Sequence, residues 1–234
     1  MAAFRLANSS GAEMIETDVR LTKDLEFVVH HDRNLGRTTN GRGSVWKRNC
    51  SEITHLDAGF WFHPRFAGET VPSLRGVLAW LPPLIGLNIE VKTDGDWRPR
   101  SLVARRLCAI LAESFTDYRR LLVSSFDHRL LRCIRAVNPF IPIGVLYMAV
   151  RDAGRKPSVL AGCCGASAFI CSRAQIRKRH VRDAHAHNLD VNCYGVNTQA
   201  HLATVVRHGV EGVITDFPAR MVHLLRSMET CEPR

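Results

Sequence analysis

Over its C-terminal two-thirds the chain alternates short apolar runs with amphipathic stretches, and no other feature of it narrows the fold as far. Extended segments are expected at residues 87–92, 121–126, 143–148, 167–172, 189–196 and 212–217. Helices are expected between them. Val103, Leu107, Ile110 and Leu111 recur at i, i+4, i+7 and i+8, which is one face of a helix. Asp127 is placed to cap a helix carrying Leu130, Leu131 and Ile134, and Thr198 one carrying Leu202, Val205 and Val206 that stops at Gly209. Pro218 suits the first turn of a last helix. Strands separated by helices pair in parallel through crossovers, so the expected class is α/β. A chain of 234 residues is long enough for one such domain.

The N-terminal third carries the charged residues that suggest chemistry. Glu16 and Asp18 stand two apart on an expected strand and so point to one side, where they can converge on a cation. Ile15, Thr17 and Val19 take the other side. Thr22-Lys23-Asp24 reads as a turn and residues 27–31 as a second extended run, which returns His31 toward the two carboxylates. Acidic residues alternating along a strand also describe a solvated face. A second strand, Leu87 to Lys92, places Glu90 and Lys92 on one side and Ile89 and Val91 on the other, which favours a shared polar centre. Residues 33 to about 85 break the alternation. Thr38 to Gly43 is turn-rich, and Phe60-Trp61-Phe62-His63-Pro64 fits neither regular pattern, so its aromatic cluster is either a pocket wall or a local mini-core.

Composition limits the remaining classes. A formal charge of +10 suits anionic phosphodiesters or membrane headgroups, although the basic run Arg173 to Arg182 reads as the solvated face of a helix. No aromatic-interleaved basic patch accompanies it, so no nucleic-acid partner is expected. The sequence has no apolar run long enough to span a bilayer and no signal-like N-terminus, and a cytoplasmic location is expected. Eight cysteines lack any Cys-x-x-Cys spacing, so neither a disulfide framework nor a zinc site is expected. Cys108 and Cys133 read as small core hydrophobes.

Taken together, the acidic strand Glu16-Thr17-Asp18-Val19, the turn Thr22-Lys23-Asp24, the pair His31-Asp32, the strand Ile89-Glu90-Val91-Lys92, and the later runs Val123 to Asp127, Val196-Asn197 and Gly209 to Pro218 resemble the glycerophosphodiester phosphodiesterase family. The resemblance covers nearly the whole chain, and each motif alone is weak. It implies a TIM-type (β/α)8 barrel of the phospholipase-C-like phosphodiesterase kind, one domain over residues 1–234, with a small insertion after the second strand at about 33–85. Family members begin with a strand ending in His-Arg. Here the chain opens on the helix-like run Ala2 to Asn8 with no His-Arg pair, and the extended segments number seven once residues 27–31 are set aside, so the first strand is expected to be missing.

The resemblance assigns roles. Glu16, Asp18 and Glu90 correspond to metal ligands, an all-oxygen set that suits Mg²⁺ or Ca²⁺ better than zinc. Lys92 either contacts the substrate phosphate or forms an ordinary ion pair with Glu90. His31 corresponds to a catalytic histidine, while His30 would face the other way. Asp32 either positions the histidine or shapes the turn. Tyr194 stands where the family usually has tryptophan, as an aromatic wall for substrate or as core packing. A second family histidine has no counterpart, and nothing in the sequence positions His63 to replace it. The implied activity is metal-dependent hydrolysis of glycerophosphodiesters to an alcohol and glycerol 3-phosphate. The alternatives are a catalytically impaired relative that still binds metal or phosphate, and a lysophospholipase D-type activity acting near a membrane. Oligomeric state is left open.

Overall fold

The computed structural model describes residues 1–94, 96–115 and 118–229; Cys231 lies outside them. In chain order the elements are α1 (Ala2–Ser9), β1 (Met14–Leu21), β2 (Phe27–Val29), α2 (Cys50–Thr54), α3 (Leu74–Trp80), β3 (Gly86–Val91), α4 (Arg100–Ser114) and β4 (Leu121–Ser125). They continue with α5 (His128–Val137), β5 (Ile143–Leu146), α6 (Ala149–Asp152), α7 (Pro157–Gly162), β6 (Ala168–Ser172), α8 (Lys178–His185), β7 (Asp190–Tyr194), α9 (Gln199–Val206), β8 (Gly212–Ile214) and α10 (Pro218–Glu229).

These strands form one sheet in the order β2-β1-β3-β4-β5-β6-β7-β8. All neighbours are parallel except β1 and β2, whose short antiparallel pairing runs from Val19 opposite Val29 to Leu21 opposite Phe27. Among the described residues, seven parallel strands joined by helical crossovers make a TIM-type (β/α)8 fold one stave short. Among the described residues β8 and β1 do not pair, so the curled sheet stays open between them.

Strand parity sorts the side chains into two cores. Ile15, Val19, Leu87, Ile89, Leu121, Val123, Val145, Val191 and Cys193 face the helices and join the main core. Leu122, Leu146, Ala168 and Ile170 face inward, with Phe126, Tyr194 and Ile214 packed against them. Gly144 belongs to this inner set, and a Cβ there would lie 2.7 Å from Ile170 Cδ1, so any larger residue would force the lining to shift. On α4, Val103, Leu107, Ile110 and Leu111 are all buried, as their spacing requires. Burying each such side chain contributes about 1.5–3 kcal/mol relative to leaving it exposed. The expected caps form: Asp127 accepts from the backbone N–H groups of Arg129 and Leu130, and Thr198 from that of His201.

Three expected strands end two or three residues early. Those at 143–148, 189–196 and 212–217 stop at Leu146, Tyr194 and Ile214, because the chain then leaves the ladder for the loops at the strand ends. At Gly195 a φ of 77° makes that departure, a conformation costly for residues with a Cβ. The basic run from Arg173 is also only partly helical. Its first residues form a turn in which the N–H groups of Gln175 and Ile176 reach Ser172 O, and α8 begins at Lys178.

Between β2 and α3 the excursion has a core of its own, made by Val28, Leu35, Val45, Ile53 and Val71. Leu74, Val77 and Leu78 of α3 instead pack into the main core. Cys108, Cys164, Cys171 and Cys193 are buried, and the seven described cysteines are free thiols. No described helix is long and apolar enough to cross a membrane.

Candidate active site

In the register between β1 and β3, Asp18 stands opposite Glu90 and Glu16 opposite Asn88. All four therefore project from neighbouring staves to the inner side. Ligand oxygens of Glu16, Asp18 and Glu90 lie within 4.8 Å of one another. Lys92, the next inward residue after Glu90, places Nζ 3.1 Å from Asp18 Oδ1 and donates a hydrogen bond to Glu90.

One ammonium does not balance three carboxylates in a half-closed site, and the protonation equilibria register the imbalance. Burial, with repulsion from Asp18 and Glu90, pushes Glu16 up to about 8. Burial also raises Glu90 against the opposing pull of Lys92. The Lys92 ammonium would be depressed by burial alone, but Glu90 and Asp18 outweigh this and hold it above its usual value. Crowded, partly desolvated oxygen donors with unneutralised charge fit a hard divalent cation.

His31 reaches the same cavity from the chain that returns past β1. Two contacts hold it. Arg20 donates through Nε and Nη2 to the His31 carbonyl oxygen at 2.9 and 2.7 Å, and Nη2 also reaches Asp94 Oδ1 at 2.8 Å. Asp32 Oδ1 lies 2.7 Å from His31 Nδ1. Beside a carboxylate Nδ1 carries the proton, which leaves Nε2 as the acceptor of the neutral ring. Arg37 grips the same carboxylate, donating to Oδ1 at 2.9 Å, and together with His31 holds the Asp32 carboxyl far below the usual range. His30 is instead buried and bonded to Asn34 O at 3.1 Å. His63 is exposed and accepts from the Arg65 N–H in the excursion.

A cavity of about 440 Å³ joins these groups, and Glu16, Asp18, His31, Glu90, Lys92 and Tyr194 all line it. Tyr194 sits half-buried at the end of β7, where burial raises its phenol. Three further residues line the cavity, and sequence reasoning passes over two of them, Asn88 and Phe126. Asn88 accepts from buried Ser124 Oγ at 2.9 Å on the cavity wall. Phe126 forms the apolar side, with Lys92 Nζ 5.6 Å from its ring centre. Asp216, at the end of β8, accepts from Asn197 Nδ2 at 2.6 Å, and its charge adds to the rise in Glu16. Inward parity and strand-end position are the sequence signals that point to these residues.

The arrangement offers a cation site, a fixed ammonium, a histidine with a free ring nitrogen and an apolar wall within one open cavity. The model of the glycerophosphoryl diester phosphodiesterase family matches residues 1–220. A glycerophosphodiester phosphodiesterase of Caldanaerobacter subterraneus is 33% identical over 231 residues, covering 97% of this chain and 91% of that protein. Another of that name from Bacillus altitudinis is 32% identical over 233 residues, covering 98% and 93%. Among solved structures, an Oleispira antarctica phosphodiesterase in complex with the product sn-glycerol-3-phosphate superposes with a TM-score of 0.87 at 25% identity, covering 96% of this chain and 90% of that one.

Proposed function

Because the chain belongs to the glycerophosphoryl diester phosphodiesterase family, we propose that it hydrolyses glycerophosphodiesters to an alcohol and sn-glycerol 3-phosphate, assisted by Mg²⁺ or Ca²⁺. The observation that carries this reading is the meeting of Glu16, Asp18, Glu90, Lys92 and His31 in one cavity. The same reading takes residues 1–234 as one catalytic domain with an insertion at about 33–85.

Each residue has a task that its position supports. Glu16, Asp18 and Glu90 would hold the divalent ion, whose charge stabilises the nonbridging phosphoryl oxygens. Lys92 adds a second positive charge for the phosphate and is held beside two of those carboxylates. His31 exchanges the proton through Nε2, with Asp32 and Arg20 fixing the ring and the backbone behind it. Tyr194 and Phe126 give the alcohol or glycerol carbons an apolar wall. The product named with the Oleispira structure matches this substrate class.

A second reading follows from one observation. Among the described residues His31 is the single histidine lining the cavity. A site with one proton-transfer group would bind cation and phosphate yet turn over slowly. Measuring glycerol 3-phosphate release from glycerophosphocholine and glycerophosphoethanolamine, with Mg²⁺, Ca²⁺ or EDTA, separates the two. The first reading expects cation-dependent release that Glu16→Ala abolishes. Calorimetric cation binding without release supports the second, and the absence of both refutes the pair.

A further inference from the structure

Because the seven parallel strands point one way, the loops that follow them share one end of the molecule with the cavity. That end is apolar in a particular pattern. Trp97 after β3 is 75% exposed, Val150 after β5 97% and Phe217 after β8 47%. Phe60 and Phe62 in the excursion are 62% and 68% exposed. Contacts tie these segments to the cavity mouth. Arg98, next to Trp97, donates to the Leu21 carbonyl oxygen at 2.7 Å, at the end of β1. The guanidinium of Arg37 lies 5.9 Å from the Trp61 ring centre and also grips Asp32 beside His31.

Positive charge sits against the rings at this same rim. Besides Arg37 on Trp61, Arg65 lies 4.6 Å from the Phe66 ring centre and Arg220 5.0 Å from that of Phe217. A ring with a guanidinium on its face presents apolar surface to acyl chains and a cation to phosphate at one depth. The chain as a whole carries +10. A second copy meeting this surface rim to rim would set Arg37, Arg65 and Arg220 against their own counterparts, whereas an anionic layer would neutralise them.

We propose that this aromatic and arginine rim docks on an anionic lipid surface, with the cavity mouth turned toward the headgroups. The contact depends on the rim alone and stands whether or not the cavity turns over. Deleting exposed rings weakens attachment by the apolar area lost, about tenfold or more for two phenylalanines.

The test is co-sedimentation of the full chain with phosphatidylcholine vesicles and with mixed phosphatidylcholine–phosphatidylglycerol vesicles. Binding is expected to the mixed vesicles, weakened by salt, with a blue shift of tryptophan emission from Trp61 and Trp97. F60S/F62S should bind about tenfold or more weakly and W97S several-fold more weakly. L84S/F140S serves as the control. It removes side chains that are 93% and 78% exposed and lie ahead of β3 and β5, at the opposite end, and should bind as wild type. Unchanged binding in both rim variants with unchanged melting temperature, an absent fluorescence shift, or a rim-dependent dimer in sedimentation without lipid would each overturn the proposal.

Discussion

The middle of the sheet and its open seam are made of the same kind of strand and do opposite things. Every residue of β4 and β5 is buried; inward Leu122 and Leu146 are apolar lining, and inward Ser124 carries no charge and is satisfied by Asn88. At the seam, β8 is only half-buried along its length, while β1 carries Glu16 and Asp18 inward. Asp216 beyond β8 is close enough to β1 for its charge to bear on Glu16. A fully packed stave has no room for unpaired charge, since desolvating a carboxylate is costly. The candidate chemistry therefore stands beside the opening, and the stability resides on the far side.

Substitutions should separate the two regions. The largest effect is expected at the seam side: His31→Ala should lower kcat for glycerophosphodiester hydrolysis by about 10²- to 10⁴-fold. Its melting temperature should not move, because the His31 side chain is 61% exposed. A matched loss of stability would break the comparison. Next comes a pure stability effect. Leu107→Ala on α4, fully buried, should cost about 2–5 kcal/mol in urea unfolding, while Val213→Ala on half-buried β8 should cost about 1 kcal/mol or less. Equal costs would show that the seam is as tightly built as the middle.

Arg20→Met tests positioning between these extremes. It removes both hydrogen bonds to the His31 carbonyl and should reduce kcat about tenfold with KM nearly unchanged, because it reorients the proposed acid–base group without touching substrate. A rise in KM alone would place Arg20 in binding instead. The smallest effect concerns acid stability. Asp32 has a folded-state pKa held well below its unfolded value by Arg37 and His31. Its contribution is present above the ordinary carboxylate pKa and is lost as pH falls through that value toward the folded one. Asp32→Asn should therefore lower stability slightly at neutral pH and flatten the acid limb below about pH 4. An unaltered acid limb on a pH scan of melting temperatures would count against the Arg37–Asp32–His31 chain.

Much of the site is legible in the residue pattern alone. A period of two tells which of Glu16, Thr17 and Asp18 share a side, and a period of about four places Val103, Leu107 and Leu111 on one helix face. The aromatic cluster at 60–62 is readable as a group, but a choice between pocket wall and mini-core is beyond the pattern. In the fold, a core of Val28, Leu35, Val45, Ile53 and Val71 lies beneath the excursion, and Phe60 and Phe62 face solvent. Strand ends are overestimated where residues such as Thr215 and Asp216 continue an extended-looking run yet leave the ladder.

By itself the sequence determined the α/β class, the count of parallel staves and the polarity of each inward position, because these follow from local periodicity. Only the tertiary structure decided that Asp18 pairs with Glu90, that Arg20 holds the His31 carbonyl, that Asn88 meets Ser124, and that Asp216 and Glu16 line one cavity. Those contacts join residues far apart in the chain. Their geometry is set by strand register and by the curl of the sheet, and neither is written in the spacing of residues along one segment.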